Sequence, residues 1–175
     1  MSDEIDVGPA AERAALIAEI EQAFATNPLP HPITTCGSDC PECRDITAEF
    51  YGRSWPEIDN AKLEANKSMS FFTAQAFHYF LPAYLRYSLR HFDLNSEVCE
   101  FTVYALTPDL NGIKDPARIS WLRERLSCLD RKQAEIVLRF LVLVSQDEEL
   151  GEFHYDIQEC ISSVRELLNN LKLLD

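Results

Sequence analysis

The sequence predicts an all-α protein, a single-domain bundle of about seven mostly antiparallel helices whose central helix is kinked at Pro82. Apolar residues recur at spacings of three and four along most of the chain, as they do on the buried face of a helix. With 175 residues, 46% of them hydrophobic, the chain is long enough to bury one core. It has only five glycines, which argues against a glycine-rich nucleotide-binding fold.

The N-terminal part of the chain divides into a tail and a first helix. Residues 1–8 are predicted to be an acidic, disordered tail, and residues 9–175 a single helical domain. Pro9 suits the first turn of a helix, where its missing N–H would have no partner in any case. The start of the chain lacks the basic and apolar regions of a secretory signal, and no run of about 18 apolar residues appears, so we expect a cytosolic protein without a membrane span.

Residues 28–32 are rich in proline and lead into a cysteine motif. Cys36, Cys40 and Cys43 are spaced Cys-x3-Cys-x2-Cys, and His31 lies five residues before the first of them. Zinc prefers thiolate and imidazole ligands, so one hypothesis is a structural zinc site made by all four side chains. The same spacing holds a four-iron cluster in radical S-adenosylmethionine enzymes, but those enzymes need an α/β barrel, which this sequence does not predict.

A third interpretation leaves these cysteines as reduced thiols, because disulfides are rare in the cytosol. Ser38 or Asp39 is expected to cap a second helix, with Pro41 in its first turn. The positive end of that helix would lower the pKa of the Cys40 thiol and make it oxidisable. The buried face of this helix is predicted to carry Ile46, Phe50 and Tyr51. The remaining cysteines fall at apolar helical positions and are predicted to be small core residues: Cys99, Cys128 and Cys160.

The longest apolar, aromatic-rich run spans residues 71–89 and predicts the central helix. Thr73 is expected to cap it. Pro82 removes a backbone donor and clashes with the preceding turn, so it should kink or split the helix. His78 lies among aromatic residues and is expected to be a hydrogen-bonded core histidine. A further hypothesis is a small-molecule pocket under the kink, lined by His78, Tyr79 and Tyr84.

Capping residues and apolar spacing predict the later helices. Three helices are expected in this part of the chain: one that includes Val98, one that starts after Asp115 and one that starts after Asp130. At the last of these, Gln133 completes a capping-box pattern. The last helix carries apolar residues from Ile157 onward at close to heptad spacing. We expect this stripe to pack against the bundle, with a dimer contact as the alternative, and hence a monomer or a weak homodimer.

The chain is strongly acidic, with 29 acidic and 16 basic residues and a formal net charge of -13. Such a surface repels nucleic acid phosphates and anionic membranes and suits a basic protein partner. An acidic run near the C-terminus is the predicted docking surface for that partner: Asp147, Glu148, Glu149 and Glu152.

Motifs of several enzyme classes are missing from the sequence: there is no P-loop, GxGxxG, GxSxG or HExxH pattern. We predict no catalytic residue, and either no cofactor or one structural zinc. The sequence therefore favours a non-enzymatic, immunity- or antitoxin-like interaction protein. The alternative is a zinc-clipped or redox-sensing protein that uses His31, Cys36, Cys40 and Cys43.

Three blocks of sequence are similar to a bacterial protein family that is a domain of unknown function. They are a Cys-x-x-Cys-Arg-Asp-Ile start at Cys40, a Phe-Phe-Thr to Leu-Pro-Ala-Tyr-Leu block at residues 71–85, and a Leu-Asp-x-x-Gln segment at residues 129–133. The resemblance covers roughly residues 12–145 and leaves the last helix unplaced. It implies an all-helical fold and supplies no activity.

Overall fold

Helices account for nearly all regular structure in the computed structural model, which describes residues 8–36, 40–91, 97–108, 115–146 and 157–172. The α-helices are α1 (Pro9–Ala23), α2 (Pro41–Phe50), α3 (Asn60–Ala65), α4 (Ala74–Arg90), α5 (Glu97–Ala105), α6 (Pro116–Leu126), α7 (Arg131–Ser145) and α8 (Ile157–Lys172). Two short 3-10 helices lie at Trp55–Glu57 and Met69–Phe71. The all-α prediction is confirmed, and the described residues contain eight α-helices because Asn60–Ala65 folds where we expected only a connection.

Helix α4 lies at the centre of the fold and packs against α1, α5 and α6. Thr73 caps it as expected, since its hydroxyl accepts a hydrogen bond from the Ala76 amide at 3.1 Å. The helix continues through Pro82 and is not split, because the residues on both sides of the proline are buried and held by their neighbours. The expected kink stays a prediction.

Aromatic side chains fasten α2 to the central helix. The Phe50 ring lies 4.9 Å from that of Phe80 and 5.2 Å from that of Phe72, both in edge-to-face geometry. Such pairs add about 0.5–1.5 kcal/mol each to the burial of the rings. Ile46 is also buried on this face, as predicted, but Tyr51 is 61% exposed, because it follows the last turn of α2 and faces outward.

Backbone hydrogen bonds tie the loop before α2 to the start of α4. The Thr35 amide donates to the Phe71 carbonyl at 2.9 Å, and the Thr73 amide donates to the Ile33 carbonyl at 3.0 Å. The Thr73 hydroxyl also donates to the Pro32 carbonyl at 2.9 Å. Between these hydrogen bonds, Thr34 of the loop and Phe72 of the segment before α4 form an isolated antiparallel β-bridge.

A polar network joins α1, α4 and α7 through Gln133. Its side-chain oxygen lies 2.7 Å from His78 Nε2, and its amide nitrogen donates to the Ala23 carbonyl at 3.0 Å and to Asn27 Oδ1 at 3.2 Å. With Asp130 it also forms the capping box of α7. The capping box and the hydrogen-bonded role of His78 are both as predicted.

The predicted small-molecule pocket under Pro82 has no counterpart in the cavities described below. Tyr84 is fully buried and donates to the Asn66 carbonyl at 2.6 Å, and Tyr79 is buried as well. Neither cavity is lined by Tyr79, Tyr84 or His78.

Helix α8 packs along α7, as its apolar spacing predicts. Its buried residues form one stripe, which comprises Ile157, Cys160, Ile161, Val164 and Leu168. The apolar stripe is therefore buried inside the chain. Within the described ranges, no helix combines the length and the apolar character that a bilayer crossing needs.

Arg125 fastens α6 to the segment in front of α4. Its side chain is only 1% exposed; it donates to the Phe72 carbonyl at 2.5 Å and to the Trp121 carbonyl at 3.1 Å. The guanidinium carbon lies 3.8 Å from the centroid of the Trp121 ring, a cation–π contact. Burial of the charge lowers the pKa of Arg125 to about 10, yet the group stays protonated near neutral pH.

We predict that Arg125→Lys lowers the free energy of unfolding by about 2–3 kcal/mol, because an ammonium group does not reproduce the planar fork that serves two carbonyls and stacks on a ring. Urea denaturation measures the change. The control is Arg123→Lys, an exposed position on the same helix, which should shift stability by less than about 0.5 kcal/mol. Equal shifts in the two variants would contradict the role assigned to Arg125.

Candidate metal centre

Three cysteine sulfurs converge where the loop 31–36, which we call the cysteine loop, meets the start of α2. The Sγ atoms of Cys36, Cys40 and Cys43 all lie within 4.8 Å of one another. Cys36 is exposed at the end of the loop, Cys40 is half-buried, and Cys43 is buried in the first turn of the helix. The structure therefore assembles the cysteine part of the predicted site.

Cys40 itself caps α2. The Cys43 amide donates to the Cys40 sulfur at 3.4 Å, so the sulfur takes the place of the usual capping oxygen. We expected Ser38 or Asp39 at this position, and that prediction is wrong, although the two residues themselves lie outside the described part of the chain. Pro41 occupies the first turn as predicted. Because Cys40 is the cap and Cys43 lies in the first turn, helix α2 alone brings these two sulfurs together.

Threonine hydroxyls hold the cysteine loop against α2. Thr34 Oγ1 donates to the Cys36 carbonyl at 3.3 Å and lies 3.3 Å from Thr47 Oγ1 on the helix. Thr34 is 8% exposed, so these polar contacts are shielded from water. The loop therefore reaches the helix with Cys36 already beside it.

The Cys40 thiol holds its proton firmly. The Cys43 amide favours the thiolate and lowers the pKa, but the Cys43 side chain and lost hydration disfavour the negative charge. The Glu42 carboxylate, which accepts from this thiol at 3.3 Å, and the Cys36 side chain act in the same direction. Together they raise the pKa of Cys40 to about 12, so the prediction of a lowered pKa is wrong.

Cys43 is the sulfur that favours a negative charge. Burial opposes its ionisation, but hydrogen bonds from the Cys36 and Cys40 thiols outweigh burial. The Cys36 amide and the Thr34 hydroxyl add to the effect, and the pKa of Cys43 lies below its ordinary value. Of the two sulfurs, Cys43 is therefore the one that ionises more readily, while Cys40 keeps its proton.

The separation of the sulfurs favours one metal ion over an iron–sulfur cluster. A tetrahedral zinc with bonds of about 2.3 Å to sulfur places its thiolates about 3.8 Å apart. The observed limit of 4.8 Å is within about 1 Å of that value, a difference that side-chain rotation removes. A four-iron cluster binds each cysteine through a different iron, so its thiolates lie further apart than thiolates that share one ion.

His31 lies on the cysteine loop but not in this group of sulfurs. Its ring packs edge-on against Tyr51 with 5.9 Å between centroids. Within the described residues, the group of mutually close potential ligands contains the three cysteines and not His31. His31 as the fourth zinc ligand stays a hypothesis.

A cavity of about 670 Å³ opens beside the sulfurs, between the cysteine loop and one face of α2. Two of the sulfur-bearing residues, Cys36 and Cys43, belong to its wall. The other lining residues are mostly apolar or hydroxyl-bearing, with one aromatic pair and one arginine: His31, Pro32, Ile33, Thr34, Thr35, Arg44, Thr47, Ala48 and Tyr51. A volume in this range is typical of small-molecule sites.

Sequence reasoning missed this cavity and its arginine. Arg44 follows directly on Cys43, and Thr47 and Ala48 lie one turn further along the same helix face. The helical spacing of Arg44, Thr47 and Ala48 was a usable signal once α2 had been assigned. Nothing in the sequence showed that residues 31–35 would form the opposite wall.

The other predicted site residues fall elsewhere. The acidic run of Asp147, Glu148, Glu149 and Glu152 lies outside the described residues, as do residues 1–7 of the predicted tail. Cys99 and Cys160 are buried core residues as predicted. Cys128 is only half-buried, because it follows the end of α6, where its thiol reaches the Glu124 carbonyl at 3.6 Å.

Comparison with known proteins places the chain in a family. The profile of a family of unknown function (DUF6714) matches residues 12–166. The chain therefore belongs to this family, and the match extends beyond the resemblance seen in the sequence into α8. No curated protein and no solved structure matches the chain.

Because the three sulfurs are close enough to share one ion, we predict that protein purified under reducing conditions takes up one zinc or cobalt ion per chain. Elemental analysis and assay of acid-labile sulfide measure this. About one metal ion and no labile sulfide is the expected result. Four irons with labile sulfide per chain would contradict the single-ion site.

Proposed function

We propose that this member of the DUF6714 family is a zinc-binding protein in which Cys36, Cys40 and Cys43 hold one ion. The observation that carries the proposal is the approach of the three sulfurs to within 4.8 Å of one another. Three thiolates are a donor set that selects zinc over the hard cations calcium and magnesium.

The ion would clip the cysteine loop to α2. Without it, Cys36 is held through the hydrogen bonds of Thr34, which are each worth about 1 kcal/mol. A structural zinc adds far more, since binding free energies reach about 10–16 kcal/mol in zinc-finger peptides. Metal binding would therefore hold in place the cavity wall that the loop already forms.

The same three thiols also support a redox version of this function. Two of them are near enough to form a disulfide after small movements. A two-electron oxidant such as a peroxide would take the electrons and remove two thiolates from a bound ion, which would then be released. Thiol counting separates the metal-free protein with reduced thiols from the zinc-bound protein. Six thiols that react in denaturant without metal release indicate the free-thiol state, and slow reaction accompanied by zinc release indicates the bound one.

We predict that zinc raises Tm and that a chelator reverses the effect. Free zinc at about 1,000 times its dissociation constant stabilises the fold by about 4 kcal/mol. For a chain of this size that corresponds to about 10 °C in Tm. Cys40→Ser should abolish the zinc response without unfolding α2, because serine is a preferred capping residue.

Cys128→Ser is the matched control, since Cys128 lies outside the cluster. This variant should keep one zinc per chain and the full change in Tm. The proposal fails if zinc leaves Tm of the unmodified protein unchanged, or if the two serine variants respond equally. His31→Ala tests the fourth ligand. We expect unchanged zinc affinity, because His31 lies outside the group of sulfurs, and a fall of tenfold or more would identify His31 as that ligand.

A second candidate function, binding of a basic protein partner, is favoured by charge. The net charge is -13, and many described cations already face acidic groups within the chain. Glu19 accepts from Lys132 at 2.7 Å and from Arg139 at 2.6 Å, while Glu21 lies 3.7 Å from both Arg86 and Arg90. The excess of acidic residues is thus available for an external partner, as in an immunity- or antitoxin-like protein.

Neutralising the acidic run tests this second function. We expect Asp147→Asn, Glu148→Gln, Glu149→Gln and Glu152→Gln together to weaken binding of a captured basic partner about tenfold, through lost electrostatic attraction. The control neutralises four glutamates elsewhere, Glu12, Glu57, Glu100 and Glu166, for the same change in net charge. Unchanged binding in the first variant, or equal loss in both, would exclude the acidic run as the docking surface.

A further inference from the structure

The cavity beside the cysteine cluster combines three kinds of chemical group. Cys36 and Cys43 present sulfur, Arg44 presents a cation, and the remainder of the wall is largely apolar. The apolar part includes Ile33 and Ala48. A ligand that uses all three must carry a soft donor atom, a negative charge and a short aliphatic body.

The coordination of the proposed ion leaves room for such a donor. Three cysteines supply three of the four tetrahedral positions of zinc. No fourth histidine, cysteine or carboxylate joins the group among the residues that the structure describes. Because two of the three sulfur-bearing residues line the cavity, a fourth ligand that arrives from the cavity meets the ion directly.

Arg44 is placed to recognise the negative charge. It lies one residue after Cys43, lines the cavity and is exposed. In the described part of the chain its guanidinium makes no hydrogen bond or ion pair, whereas Arg86, Arg118, Arg125 and Arg139 are all engaged with other groups. A guanidinium free of internal partners beside a cavity suits a carboxylate.

Arg44 limits the negative charge of the occupied site. Three thiolates and a divalent ion carry a net charge of minus one, and a fourth thiolate makes it minus two. Arg44 offsets the charge of the carboxylate that accompanies the thiolate. A low-molecular-weight thiol without a carboxylate gains the sulfur–metal bond alone, and a simple carboxylate gains mainly the contact with arginine.

We propose that the cavity binds a low-molecular-weight thiol that carries a carboxylate, with its sulfur on the metal and its carboxylate on Arg44. The inference rests on the proposed zinc site. Binding is a ligand substitution without redox change: the thiol loses its proton to solvent, and its thiolate replaces water at the fourth position of the ion. With about 670 Å³, the cavity has space for ligands from small mercaptocarboxylates to short cysteine-containing peptides.

Cobalt-loaded protein tests the proposal, since cobalt(II) occupies zinc sites and reports each sulfur ligand through its absorption. The probes are 3-mercaptopropionate, 2-mercaptoethanol, which lacks the carboxylate, and propionate, which lacks the thiol. We expect 3-mercaptopropionate to raise the sulfur-to-cobalt charge-transfer absorption and to bind at least tenfold more tightly than the other two. Arg44→Gln should weaken its binding about tenfold, as expected for loss of one charge-assisted contact.

Arg53→Gln is the matched control, because Arg53 is an exposed arginine just after α2 that does not line the cavity. It should leave the affinity unchanged. Equal affinity for 3-mercaptopropionate and 2-mercaptoethanol, equal effects of the two arginine variants, or removal of cobalt by the probe would each overturn the inference. A cobalt spectrum that no probe alters would overturn the inference alone, whereas absence of any sulfur-to-cobalt absorption before titration would overturn the zinc site as well.

Discussion

The segment that precedes the central helix is the point on which the rest of the structure depends. Phe72 contacts α6, α2 and the cysteine loop. Its carbonyl accepts a hydrogen bond from buried Arg125, its ring packs against Phe50, and its backbone pairs with the cysteine loop at Thr34. Next to it, Thr73 caps α4 and holds the loop as well. One short segment thus orients α2, α4, α6 and the loop, so a shift there would move all four. The buried charge of Arg125 enforces this arrangement, because leaving a carbonyl or a guanidinium without its partner in the core costs several kcal/mol.

The candidate site inherits its geometry from that segment. Cys36 is positioned by a loop that is tied to α4, while Cys40 and Cys43 are positioned by a helix that is tied to α4 through aromatic rings. The two supports are independent of any metal. Preorganisation of this kind lowers the entropic cost of bringing ligands together, which is why three sulfurs on two elements can serve as one site. The cavity is the space left between the same two supports.

Helix boundaries and caps were predictable because they depend on residues close together in the sequence. The cap at Thr73, the capping box of Asp130 and Gln133, and the apolar stripe of α8 all follow from local spacing. Two predictions at the start of α2 were wrong, the identity of its cap and the pKa of Cys40. Cys40 takes the place of the expected oxygen cap. The hydrogen bond from the Cys43 amide lowers its pKa, but the Cys43 side chain, lost hydration, Glu42 and Cys36 together raise it further.

The sequence by itself determined that this chain is helical, that its net charge is negative and that three cysteines have metal-ligand spacing. Net charge is a sum over residues, and the helical spacing and the cysteine spacing are local patterns. None of them requires knowledge of contacts between distant parts of the chain. Only the tertiary structure decided that His31 packs on Tyr51 and not among the sulfurs, and that Arg125 is buried while Arg44 borders a cavity. It also decided that the three sulfurs come within 4.8 Å of one another. Each of those outcomes depends on which surfaces come together when the helices pack, and packing joins residues that the sequence leaves far apart.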